Sequence, residues 1–330
     1  MKILLLLFLI INHTDALAFQ ISTKQIKLQE KLTIGNEKGN LIFEVHSIGH
    51  LQDGSLIISD KLDYKLKKIN KFGKIVLQVG KRGKNPGEFT QGPSQIDVYK
   101  NIVAVAEFSS RRVHIFSDNL EYKSSFYAPD IVFRLKFDRD GNIWLGVVSY
   151  YRKNQNLVKV NRKGTVLKSI KLKNSRNVKE IGNEIWNFFD FAINPTNGDI
   201  IVAYNFRNKI EIRDSAGNFK SEFTIPGIPE SRKKIISTGG LFGKKIEVPE
   251  DLVFSSLWVN GEGYIFILIG DVASSPKRDV FVLNDKGEII TSFKLPQQSS
   301  WISFDQDGYL YTIENQRTIV KKYKMIYHGR

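Results

Sequence analysis

A short phrase, Asp or Asn followed by Gly and then an alternating apolar strand, returns along the chain and divides it into six units. It reads QDGSLIIS from Gln52, RDGNIWLG from Arg139, TNGDIIVA from Thr196 and QDGYLYTI from Gln306, with the variants YKNIVAVA from Tyr99 and GEGYIFIL from Gly261. Successive starts lie 47, 40, 57, 65 and 45 residues apart. Hairpin signals at that spacing, without a helical period of comparable length, describe a four-stranded antiparallel unit repeated around a ring.

Each unit has the same internal order: an inner strand, the Gly turn, a second strand, a polar loop, a third strand, another turn and a fourth strand. The third strands align as LKKIN from Leu66, RVHIF from Arg112, LVKVN from Leu157, KIEIR from Lys209, VFVLN from Val280 and IVKKY from Ile319. Four are followed by turns containing Gly73, Gly164, Gly217 or Gly287, positions that call for positive φ. The last unit ends after its third strand, whereas Ile26 to Ile34 is strand-like and belongs to no unit. Pairing that segment with the last unit closes the ring and removes exposed sheet edges. The fold expected is all-β: a six-bladed β-propeller of four-stranded antiparallel blades, its last blade closed by the N-terminal strand. Residues 174–190 and 228–251 break the rhythm as long connections, and Trp186, Phe188, Phe189, Arg232, Lys233, Lys234, Lys244 and Lys245 are expected to wall one side of the channel mouth.

The first eighteen of 330 residues are expected to be an export signal: Lys2, the apolar run Ile3 to Ile11, and small residues at Ala16-Leu17-Ala18. The mature chain then begins at Phe19 and forms one domain, a monomer, periplasmic or extracellular. No other stretch is long and apolar enough to span a bilayer. The absence of cysteine excludes disulfides, thiol catalysis and a lipid-modified cysteine. Lys and Arg number 49 against 34 Asp and Glu, a formal net charge of +15 that attracts polyanions. For an exported protein this points to an anionic glycan, an envelope polymer, anionic lipid or an acidic protein surface; nucleic acid is set aside.

The stretch GKRGKNPGEFTQGPSQIDV from Gly80, followed by VAVAEFSSRRVHIF from Val103, resembles the connector and core of an NHL-type propeller repeat of the TolB-like superfamily. The shared pattern is a glycine-rich turn, Pro-Gly-x-Phe, a Pro before an inner strand, and a strand pair ending in Arg-Val-x-Ile-Phe. The resemblance implies a six-bladed ring with a binding face and leaves activity open.

In such a ring the loops joining second to third strands gather at one end. They carry Lys61 and Lys65, Arg111 and Arg112, Arg152 and Lys153, Arg207, Lys277 and Arg278, and Arg317, so every blade brings a cation to one rim. Tyr150 and Tyr151 beside Arg152, and Phe206 beside Arg207, add flat surfaces for a sugar or ring, and Trp186 joins from the wall of the first long connection. The candidate ligand-binding residues are therefore Lys65, Arg111, Arg112, Tyr151, Arg152, Trp186, Arg207, Lys277, Arg278 and Arg317.

Catalytic signatures are sparse. His46, His50, His114 and His328 form no HxH or HExxH motif, and their expected places are packing or surface. No GxSxG elbow is present, and GKRGKNPG lacks the Gly-Lys-Ser/Thr ending of a phosphate loop. Glu44, Asp97, Asp130, Asp190 and Asp251 lie where inner strands begin; calcium is the one cofactor they suggest, and none is required. The leading reading is thus a binding module that recognises an anionic polymer or acidic surface by its cationic loop face. A hydrolase or lyase centred on the channel, calcium-assisted and acting on a lactone, ester or glycan, is the alternative, with an enzyme placed second.

Overall fold

A computed structural model describes residues 25–35, 39–149, 154–172, 185–237, 245–272 and 276–328. The six units fold as six four-stranded antiparallel blades. Blade one comprises β2 (Val45–His50), β3 (Leu56–Asp60), β4 (Lys65–Ile69) and β5 (Ile75–Val79). Blade two comprises β6 (Gln95–Tyr99), β7 (Ile102–Ala106), β8 (Arg112–Ser117) and β9 (Tyr122–Tyr127). Blade three has β10 (Ile131–Phe137), β11 (Ile143–Ser149), β12 (Asn154–Val160) and β13 (Val166–Lys171). Blade four has β14 (Phe189–Ile193), β15 (Ile200–Tyr204), β16 (Ile210–Arg213) and β17 (Phe219–Phe223). A two-stranded hairpin, β18 (Lys233–Ser237) with β19 (Lys245–Pro249), follows before blade five: β20 (Phe254–Val259), β21 (Ile265–Ile269), β22 (Asp279–Leu283) and β23 (Ile289–Lys294).

Blade six is assembled from both ends of the chain. β24 (Ile302–Phe304), β25 (Leu310–Glu314) and β26 (Ile319–His328) receive β1 (Gln25–Ile34) as their outermost strand, antiparallel to β26 from Gln25↔His328 to Ile34↔Val320. The closure expected from the unpaired N-terminal segment is therefore present.

Burial explains the sequence pattern. The second strands β3, β15, β21 and β25 are buried on both faces and are mostly apolar, while the outer β13 and β17 are largely exposed. The core is not one mass: six apolar clusters occupy the six junctions between neighbouring blades. Gly73, Gly164, Gly217 and Gly287 have φ of 83°, 86°, 84° and 82°. They also sit against the preceding blade, on Leu32, Phe126, Ile170 and Phe223 respectively, so a side chain there would collide with the neighbour as well as strain the backbone. Leu32 belongs to β1, which thus fills the outer-strand place of blade six. Among the described residues no helix is long and apolar enough to cross a membrane.

Candidate functional site at the channel mouth

Each inner strand begins at the end of the ring where the second-to-third strand loops lie, so these two groups of residues share one mouth. Inner strands β2, β10 and β20 each carry a register shift near this end, at Val45/Ile48, Val132/Arg134 and Phe254/Ser256. Such bulges re-aim side chains beside sites.

In β10 the period of two puts Arg134 and Lys136 on the same side, facing the axis. Arg134 Nε lies 2.6 Å from Asp190 Oδ1 and its Nη2 donates to Asp190 Oδ2 at 3.0 Å, a bidentate pair, while Nη1 donates to Gln95 Oε1 at 2.8 Å. The guanidinium also stands 4.5 Å over the Trp301 ring. Blades three and six are opposite in a six-membered ring, so this contact crosses the axis. One step deeper, Lys136 Nζ donates to Asp97 Oδ1 at 3.1 Å and lies 4.5 Å over Trp258 of blade five. Beyond this layer, at the far end, a cavity of about 540 Å³ is lined by Asp97, Lys136, Trp258 and Gln306.

Toward the near mouth, His46 Nε2 and Glu44 Oε1 are 2.9 Å apart, and both side chains are partly exposed. Burial holds the His46 imidazole below its ordinary range, the Glu44 hydrogen bond opposes this, and the charge of Arg317 lowers it further. Arg317, in the loop between β25 and β26, donates from Nη1 to Val45 O at 3.3 Å. Burial lowers its affinity for the proton, the nearby positive charge of Arg134 adds to that, and Glu44 opposes both. Asn315, Gln316 and Arg317 are consecutive non-glycine residues at φ 46°, 52° and 71°, a strained loop that carries this arginine. Arg317 thus senses Glu44, His46 and Arg134, at a mouth where Trp301 lies under the Arg134 guanidinium.

The described rim residues named from sequence have different partners, and Lys65 and Arg112 are the first residues of β4 and β8. Tyr151 and Arg152 lie outside the described residues. Lys65 pairs with Asp63 at 3.2 Å, and Arg111 is exposed. Arg112 donates to Ser125 Oγ at 3.2 Å and Lys84 O at 3.1 Å, and Arg278 to Leu295 O at 2.8 Å. Arg207 is buried, 4.1 Å over the Tyr204 ring. Trp186 is buried in a single 3₁₀ turn, Ile185–Asn187. Lys277 pairs with Asp271 at 3.2 Å and lines a cleft together with Arg317. Among the described residues of the ten, Arg317 is brought to Glu44 and His46.

Sequence reasoning missed Arg134, Lys136 and Trp301, and placed His46 among packing or surface residues. The available signal was FRLKF from Phe133, two cations at alternate positions of an inner strand where apolar residues belong. The acids at the blade starts do not fit a metal centre. Asp97 and Asp190 bind the axial cations, Asp251 pairs with Arg232, Glu44 holds His46, and Asp130 accepts from the Ile131 N–H. Among the described residues no three His, Asp or Glu converge as a cation site.

The ring and its plugged axis define the protein's class: a six-bladed, all-β propeller. No family model matches the chain, and no curated protein matches it. Solved structures share the fold. Virginiamycin B lyase from Staphylococcus aureus is 14% identical with a TM-score of 0.55, covering 92% of this chain and 100% of that one. A gluconolactonase from Xanthomonas campestris is 12% identical with a TM-score of 0.55, covering 86% and 87%. A putative exported protein from Bacteroides fragilis is 14% identical with a TM-score of 0.57, covering 95% and 98%. The NHL-type resemblance gains no support beyond the six-bladed ring. The ordering that set an enzyme below a binding module is corrected, because the same architecture carries a lyase and a lactonase.

Proposed function

We propose that the protein is a hydrolase or lyase that acts on a small substrate at the channel mouth, with His46 as its base. The observation that carries this reading is an imidazole 2.9 Å from the Glu44 carboxylate and within reach of the Arg317 charge. With Nε2–H donating to Glu44, the Nδ1 lone pair of His46 is left to take a proton. In hydrolysis that proton comes from water, whose oxygen adds to a carbonyl carbon; collapse of the adduct breaks the acyl C–O bond, and the leaving oxygen takes the proton back from the imidazolium. In elimination it comes from the carbon next to a carbonyl, and the electron pair left behind forms the double bond as the leaving group departs. Either way negative charge grows on an oxygen, and Arg317 is suited to receive it. The lyase and the gluconolactonase of the same fold support the reading as precedents only.

The test is turnover of a panel of lactones, aryl esters and uronate-containing oligosaccharides. Replacing a general base slows the chemical step by about 10²–10⁴-fold, and His46→Gln is expected to fall in that range with an unchanged circular dichroism spectrum. In Glu44→Gln the acid limb of kcat/KM should move to lower pH, since the carboxylate charge that raises the His46 affinity for protons is gone. Full activity in His46→Gln, or no turnover of any panel member by the wild type, would defeat the proposal.

A further inference from the structure

Between blades five and six, beside the mouth, lies a cleft of about 860 Å³ lined by Lys277, Arg317 and Lys321 against a single carboxylate, Glu314. Three of these four are already engaged. Lys277 pairs with Asp271, Lys321 pairs with Glu30 at 2.9 Å, and Glu314 accepts from Thr312 at 2.7 Å and Tyr323 at 3.1 Å. Arg317 differs: among the described residues its one acceptor is Val45 O, at 3.3 Å. Two neutral donors stand close by in the chain without an acceptor, the buried Ser300 Oγ of the cleft lining and the buried Nε1 of Trp301. Arg317 therefore keeps guanidinium N–H groups for an acceptor from outside, beside a serine hydroxyl and an indole N–H that have none of their own. The rest of the lining is rich in amides, Gln297, Gln298, Asn315 and Gln316, which match hydroxyl groups as both donors and acceptors.

We infer that this cleft is the substrate's anchoring subsite and takes a hydroxylated carboxylate of the uronic-acid kind, its carboxylate on Arg317 and Ser300 and its hydroxyl groups on the amides. The inference rests on the channel-mouth reading and names the substrate class for it. The hydrogen bond to Val45 O already holds the guanidinium before binding, so less side-chain freedom is lost when the anion arrives.

The experiment is calorimetric titration of the full mature chain with D-glucuronate, with D-glucose as its neutral counterpart and inorganic sulfate as a plain anion. Glucuronate is expected to bind at least about ten-fold more tightly than glucose, and Arg317→Gln to weaken it by about ten-fold or more, the range of a charge-assisted hydrogen bond. Arg317→Lys should retain part of the affinity and Ser300→Ala should lose a smaller share. Equal binding of glucuronate and glucose, no binding of glucuronate, or undiminished binding by Arg317→Gln overturns the subsite. Sulfate binding as tightly as glucuronate overturns its selectivity for hydroxylated acids. Titrating His46→Gln in parallel separates this inference from the catalytic one. Undiminished turnover in His46→Gln together with Arg317-dependent glucuronate binding overturns the base and leaves the subsite. Lost turnover in His46→Gln with binding unaffected by Arg317→Gln does the reverse.

Discussion

Two cations on alternate residues of one inner strand, Arg134 and Lys136, do at the axis what apolar side chains do at the blade junctions. Each is held by a carboxylate and covered by a tryptophan from a non-neighbouring blade, so they tie the ring across its middle. Beside them His50 donates to or accepts from Ser303 Oγ at 2.9 Å and packs against Trp258 and Tyr311. Burial pushes its imidazole down to about 3, and the charges of Lys136 and Lys322 act in the same direction against Asp305. A histidine held neutral in the fold but free to protonate when unfolded contributes stability that is present above pH about 6.5 and lost as the pH falls toward 3. At about pH 4 the loss from this group is on the order of 3 kcal/mol. Urea denaturation at about pH 7 and about pH 4 checks this. His50→Gln, which keeps a partner for Ser303, should lose distinctly less stability between the two than the wild type, and an equal loss in both would sink the argument.

At the scale of elements, β1 is the strand on which closure depends. It supplies Ile34 and Leu32 to the junction of blades six and one, Ile26 and Leu28 to that of blades five and six, and the side chain against which Gly73 turns. Ile34 alone, fully buried, is worth roughly 1.5–3 kcal/mol. A chain beginning at Gly35 leaves β26 as an open edge, and strand edges pair with other chains. We expect a lower urea midpoint and self-association visible by sedimentation velocity. A truncated chain that stays monomeric with the midpoint of the parent would show that blade six stands without β1.

For the whole molecule, the balance of +15 acts at a distance that individual pairs do not. Many of the rim cations are engaged with their own fold, yet their field still draws an anion toward the mouth where Arg317 waits. The Debye length shrinks from about 30 Å at 0.01 M to about 3 Å at 1 M salt, so this attraction is screened while the contacts inside the cleft are not. KM for a uronate substrate should therefore rise several-fold from low to high salt, with that of a neutral ester in the same assay nearly constant. A KM for the uronate that ignores salt would remove long-range attraction from the account.

The six units, their strand order, the turn glycines and the closing strand were legible in the sequence, because each is set by local chemistry: period-two alternation, Asx-Gly turns and one unpaired strand-like segment. The site was legible only in fragments. Arg317 stood out as a loop cation and Glu44, Asp97 and Asp190 as acids at blade starts, but nothing in their spacing said which would meet. His46 is 271 residues from Arg317, and Arg134 is 167 from Trp301; no motif joins positions so far apart. The ring brings them together because it returns every inner strand to a common axis. Which charges face that axis, and which bond to their own blade, is decided by bulges and by packing across the channel, and these exist only once the ring has closed.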